Sequence, residues 1–125
     1  MWCKANMLYT FFMKDLFEFS ELLDQYAGLL TDHQREIACQ YVYEDFSLFE
    51  ISERTGISRQ GVRDCLNKAE KMLRHYETVL GLVSKNKTIS SAADRITDCA
   101  GRIADSTMKA EIMQSVSLIT ETLEQ

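Results

Sequence analysis

The chain reads as an all-α protein: a helix-turn-helix bundle with a long second motif helix, followed by a C-terminal helical arm or hairpin. Three observations predict this. Its 125 residues contain no proline and only five glycines, so little in the chain breaks a helix. Apolar residues recur at spacings of three and four through most of its length. Two helix starts also bracket a sharp bend. Ser47 with Glu50 is a capping box, Ser58 is a second N-cap eleven residues later, and Gly56 sits between them where φ > 0 is needed. The 46% hydrophobic content is ample for the core of one domain, or of one domain with an appendage.

Taken in order, residues 1–12 are expected to be an N-terminal extension to the domain. The apolar run Met7–Met13 is seven residues long, Lys14 and Asp15 follow at once, and no Ala-x-Ala site appears. That is too short to span a bilayer and lacks the cleavage pattern of a secretion signal. The expected location is the cytoplasm, with no membrane insertion.

Residues 13–83 are expected to form the helix-turn-helix domain. Leu16, Phe17, Phe19, Leu22, Leu23, Tyr26, Leu29 and Leu30 give the first helical stripe, with Gly28 near its end. Thr31 and Gln34 are a capping box for a helix through Ile37, Ala38, Tyr41 and Val42. Glu44-Asp45-Phe46 connects it to the motif helices, whose shared seam is Ile51, Ile57, Val62 and Leu66. The second of these runs on through Ala69, Leu73, Tyr76 and Leu80 to Gly81. The aromatic series Phe17, Phe19, Tyr26, Tyr41, Tyr43, Phe46, Phe49 and Tyr76 is expected mostly in the core, with Tyr41 and Tyr43 on different faces.

Residues 84–125 are expected to form a C-terminal helical segment, and the polar stretch from Ser84 to Ser91 reads as the linker leading to it. Ile89, Ala92, Ala93, Ile96, Cys99, Ala100 and Ile103 mark one helix; Met108, Ile112, Val116, Ile119 and Leu123 mark another. Asp105-Ser-Thr107 separates them in a hairpin, whereas one continuous helix makes a long arm. The second set repeats at four, four, three and four residues, the spacing of a dimer seam.

The cysteines exclude one class of site. Cys3, Cys39, Cys65 and Cys99 form no Cys-x-x-Cys pair, and only His33 and His75 accompany them, so no zinc site is expected. Cys39 and Cys65 read as buried, reduced thiols. Asp32 and His33 are neighbours in sequence, but neighbouring helical residues point apart. With no phosphate loop and no nucleophile elbow, neither catalysis, a cofactor nor a small-molecule substrate is expected.

The candidate site lies on the helix after Ser58. With Val62 at its buried meridian, Gln60, Arg63, Asp64, Asn67 and Lys71 fall on the opposite side and Arg59 at the rim. Arginine and glutamine form paired hydrogen bonds to base edges, while Arg59, Lys71 and Arg74 suit phosphates. Asp64 repels phosphates unless Arg63 or Asn67 screens it. The net charge of −5 makes any nucleic-acid affinity local, modest and sensitive to salt.

The stretches Leu29-Leu-Thr-Asp-His-Gln-Arg35, Tyr43-Glu-Asp-Phe-Ser-Leu-Phe-Glu-Ile51 and Gly56-Ile-Ser-Arg-Gln-Gly-Val62, with Asp64, resemble the YlxM family of bacterial helix-turn-helix proteins. More distantly they resemble the fourth, promoter-reading region of sigma factors. The resemblance covers Met13 to Lys85 and departs at Gly61, where the family usually has alanine. It implies an all-helical fold, often a dimer, and no catalytic residues. It also implies a link to the signal recognition particle pathway, because the family's genes typically neighbour that of the particle's GTPase. The expected function is thus a noncatalytic regulatory protein that binds DNA through Arg59, Gln60, Arg63, Asn67, Lys71 and Arg74. The alternative is a scaffold that binds the GTPase without reading DNA, and the particle's RNA is a further candidate ligand.

Overall fold

Phe19, Leu22, Leu23 and Tyr26 recur as i, i+3, i+4 and i+7, one face of a helix. In the computed structural model, which describes residues 16–124, all four are buried by helix α1 (Leu16–Tyr26). The extension 1–12, its apolar run, Cys3 and Met13 lie outside the described residues. Phe17 is 74% exposed instead of joining the core, because it stands about 200° around the helix from Phe19. A 3₁₀ turn, Ala27–Leu29, then redirects the chain through Gly28.

Helix α2 (Asp32–Val42) starts at the expected capping box. Thr31 Oγ1 accepts the Gln34 N–H and Gln34 Oε1 accepts the Thr31 N–H, both at 3.2 Å. Such a cap is worth about 1 kcal/mol. Ile37 and Ala38 are fully buried on its inner face. Just past its end, Tyr43 donates its hydroxyl proton to Asp24 of α1. Partial burial and that carboxylate push the phenol above its ordinary range. Tyr43 itself remains half exposed, while Tyr41 is half-buried.

Helix α3 (Leu48–Thr55) carries the second capping box, with Ser47 Oγ accepting the Glu50 N–H at 3.1 Å and Glu50 accepting the Ser47 N–H at 2.8 Å. It stops at Gly56, whose φ of 76° is the left-handed conformation that a Cβ disfavours. Helix α4 (Arg59–Leu80) begins where Ser58 Oγ accepts the Gly61 N–H at 3.0 Å, and it ends at Gly81, again left-handed. A Cβ at Gly61 would stand 3.2 Å from that capping oxygen, so glycine leaves the cap room that alanine would reduce. Val62, Leu66, Ala69 and Leu73 line the buried stripe of α4, and α1, α2 and α3 all pack against this helix. It is the axle of the bundle.

The chain divides into two compact units, one ending at Gly81 and the other beginning at Leu82. The expected linker is not a loop. Residues 84–91 are part of helix α5 (Leu82–Ala100), where Thr88 returns its hydroxyl to the Ser84 carbonyl at 3.1 Å. A polar stretch without glycine or proline continues a helix readily when apolar turns follow it. Helix α6 (Ser106–Glu124) packs against α5 as a hairpin, which settles the choice against a single long helix. The break falls at residues 101–105, earlier than expected: Ser106 and Thr107 already belong to α6, whose start Asp105 caps by accepting the N–H groups of Thr107 and Met108 at 2.9 and 3.3 Å.

Cys39 and Cys65 are free thiols, half-buried rather than sealed. Burial pushes both above the usual thiol range, which disfavours the reactive thiolate.

Candidate nucleic-acid interface

The stripe that buries Val62, Leu66 and Leu73 leaves the opposite side of α4 outward. Arg59, Gln60, Arg63, Asn67 and Lys71 are all exposed there. None of Arg59, Arg63 and Lys71 takes part in an ion pair among the described residues. Lys68, which periodicity did not single out, is a fourth exposed cation on this helix and takes part in no ion pair among the described residues. Against these stands one exposed carboxylate in residues 59–75, Asp64. It is screened neither by Arg63 nor by Asn67. Gln60 Nε2 donates to Asp64 Oδ1 at 2.9 Å across one helical turn. The bond quiets Asp64 but spends one N–H of the amide expected to read a base.

Arg74 is a correction. Its guanidinium donates to Glu70 Oε1 through Nε and Nη2, at 3.1 and 2.9 Å, and to Glu18 Oε1 of α1 through Nη1 at 2.9 Å. The bonds to Glu70, more than the charge of Glu18, hold its pKa above the ordinary arginine value. Helical position alone makes Arg74 outward-facing, but α1 lies along that flank. Arg74 therefore fastens the distal half of α4 to α1 and drops out of the phosphate-binding set.

Two further contacts fasten that distal half. Tyr26, buried on α1, donates its hydroxyl to Glu77 Oε2 at 2.5 Å. Tyr76 donates to the Leu29 carbonyl at 3.3 Å. Their rings lie 6.0 Å apart, within aromatic pairing range. The proximal half of α4 is thus free to face outward while the distal half is anchored. That division is a tertiary property, invisible to helical periodicity.

Two arginine–aromatic stacks stand beside the motif, and spacing did not disclose them. Arg54 lies over the Phe46 ring with its guanidinium carbon 4.5 Å from the centroid. Arg59 lies over Phe49 at 5.3 Å. Both distances are within the reach of a cation–π contact. Phe49 was expected in the core but is 53% exposed. Its neighbour in the helix, Leu48, and Ile51 face inward instead. The only sequence signal for the second pair is a lone aromatic off the apolar stripe of α3.

Val116, expected in a dimer seam, is buried within the α5–α6 hairpin. Met108 and Ile119 are exposed, while Ile112 and Leu123 are half-buried. Among the described residues, no helix is long and apolar enough to cross a membrane.

The chain matches a family described as "Putative helix-turn-helix protein, YlxM / p13 like", UPF0122, over residues 13–116. The match runs well past Lys85, so most of the α5–α6 hairpin is family structure rather than an unrelated appendage. The chain is 50% identical over 88 residues to a UPF0122 protein of Caldanaerobacter subterraneus subsp. tengcongensis, covering 70% of this chain and 75% of that one. It is 42% identical over 114 residues to a UPF0122 protein of Thermoanaerobacter sp. strain X514, covering 90% and 97%. A UPF0122 protein of Clostridium novyi is 35% identical over 113 residues, covering 90% and 98%. The family description names a helix-turn-helix rather than a catalytic activity, in keeping with the capped helix pair α3–α4. The chain belongs to the UPF0122 family of YlxM/p13-like helix-turn-helix proteins.

Proposed function

We propose that this protein is a noncatalytic regulator that binds duplex DNA through the proximal half of α4. The observation that carries the reading is the exposed side of α4 directly after the motif turn, with Arg63 and Lys71 on it and Arg59 and Lys68 on its two flanks, none of them in an ion pair among the described residues. A helix presented this way fits the major groove of B-DNA, whereas the deep major groove of A-form RNA excludes side chains. Arg63 and Asn67 are the base-edge candidates, with Gln60 once Asp64 releases it; Arg59, Lys68 and Lys71 contact phosphates. The usual position of this family's genes beside that of the particle's GTPase supports a regulatory role in the signal recognition particle pathway.

Titration against duplex DNA, the particle's RNA and its purified GTPase, each at two salt concentrations, tests the reading. Duplex binding is expected to be strongest, with log K falling against log salt at a slope of about −2.7 for three neutralised phosphates. Absence of duplex binding at low salt overturns it. A second reading, a scaffold for the GTPase, draws on a different surface. Residues 16–58 carry nine carboxylates against two arginines, complementary to a basic partner domain. A GTPase complex that survives loss of the α4 cations would favour it.

We also infer a homodimer through the α5–α6 hairpin, which would place two α4 helices in one particle. Within its unit the hairpin buries only Ala93, Ala100 and Val116, too little for two amphipathic helices to stand alone. It leaves an open apolar groove of about 380 Å³ lined by Ala92, Ile96, Cys99, Ile103 and Ile112, among others. Sedimentation equilibrium should give twice the chain mass at micromolar concentration, and Ile96→Glu should return it to one. A wild-type monomer overturns the dimer.

A further inference from the structure

We propose that Phe49 is a positioning residue for Arg59, holding its guanidinium for a DNA phosphate; this rests on the DNA-binding reading above. Phe49 lies in the first turn of α3 and Arg59 is the first residue of α4, ten residues on across the turn through Gly56. The guanidinium carbon of Arg59 sits 5.3 Å from the Phe49 centroid, and the ring remains half exposed rather than packed away. Stacking uses the flat face of a guanidinium. Its five N–H donors lie in the plane and stay available, in the fork geometry that suits a phosphate. Arg59 has no carboxylate partner among the described residues to occupy them.

Arg74 shows the opposite arrangement on the same helix, with its donors spent on Glu18 and Glu70. An unstacked arginine at a helix start samples many rotamers and loses that freedom on binding. The Phe49 ring removes part of that loss before the ligand arrives, which raises affinity by preorganisation rather than by a new contact. Ordinary core packing does not account for an aromatic so exposed at this position.

A double-mutant cycle on the full chain, read by titration with a duplex of mixed sequence at low salt, tests this. Arg59→Ala is expected to weaken binding about tenfold, as loss of one charge-assisted contact. Phe49→Leu is expected to weaken it about two- to fivefold in the wild-type background and not at all in Arg59→Ala. Phe49→Tyr, which keeps the ring, should restore wild-type affinity. A merely structural role for Phe49 would instead give equal losses in both backgrounds. That result, or unchanged binding by Phe49→Leu where Arg59→Ala binds more weakly, overturns the inference while leaving DNA binding standing. No effect of Arg59→Ala overturns it too. Wild-type protein that binds no duplex overturns the DNA-binding reading and the inference together.

Discussion

Replacing Arg59, Arg63 and Lys71 together by alanine is expected to lower affinity for duplex DNA about 1000-fold. Three charge-assisted contacts at roughly 1.4 kcal/mol each give that factor. The salt slope should flatten by about 1.8, since Arg59 and Lys71 each neutralise a phosphate that contributes about 0.9. The slope is the sharper readout, because it counts contacts whatever the sequence of the duplex. Stability should barely change: all three side chains are exposed and none is held in an ion pair among the described residues. Arg74→Ala is the control with the opposite signature. It removes contacts to Glu18 and Glu70 that are partly solvent-exposed, so screening limits their loss to less than about 1 kcal/mol. It should leave the salt slope of DNA binding where it was. A triple variant with an unchanged slope would show that the outward face of α4 is an ordinary solvated surface.

The contrast between Arg63 and Arg74 shows how far the sequence carries the site. Both lie on the same broad sector of α4 when Val62 marks the buried side. Helical geometry therefore assigns them one fate. Their difference comes from α1, which supplies Glu18 from 56 residues away in sequence. No periodicity within α4 contains that information. The same holds for Phe49 and Arg59, ten residues apart across a turn. Local grammar, by contrast, was legible in full at the starts of α2, α3 and α4. Thr31, Ser47 and Ser58 each bond an N–H within three residues, so the side chain that caps and the group it caps are both visible in a short window. Gly56 was legible for a related reason: few residues other than glycine adopt the backbone angle the turn needs.

The linker between residues 84 and 91 misled for a physical reason. Serine, threonine, lysine and asparagine look like loop composition, yet only glycine and proline forbid a helix strongly. Thr88, at helical spacing from Ser84, bonds back to the turn before it and leaves the helix unbroken. The real boundary falls at Gly81, whose left-handed φ ends α4 one residue before α5 begins. The spread of Met108, Ile112, Val116, Ile119 and Leu123 was read as one seam for a partner. Val116 is spent inside the hairpin, while Met108 and Ile119 stay exposed and an apolar groove opens beside Ile96 and Ile112. A stripe at coiled-coil spacing says that something packs on it, and the helix next in the chain is the nearest candidate.

Leu66→Ala and Leu73→Ala are each expected to destabilise the first unit by about 2–5 kcal/mol, the cost of removing buried methyl groups and leaving a cavity. Leu66 is 1% exposed and Leu73 is wholly buried. Both lie on the inner stripe of α4, the helix against which α1, α2 and α3 pack. A small domain has only about 5–15 kcal/mol of net stability, so either substitution removes a large fraction of it. The urea midpoint should fall while the slope of the transition stays constant, since the folded and unfolded surfaces change little. Leu118→Ala, at a leucine mostly exposed on α6, should move stability by less than about 0.5 kcal/mol. The leucine variants also separate folding from recognition. Where they remain folded, their salt slope with DNA should match wild type, because no cation has been lost; only the folded fraction available to bind declines. A Leu73→Ala protein with an unshifted midpoint would mean that α4 is not the axle on which α1, α2 and α3 depend. The outward presentation of Arg59, Arg63 and Lys71 would then need a different support.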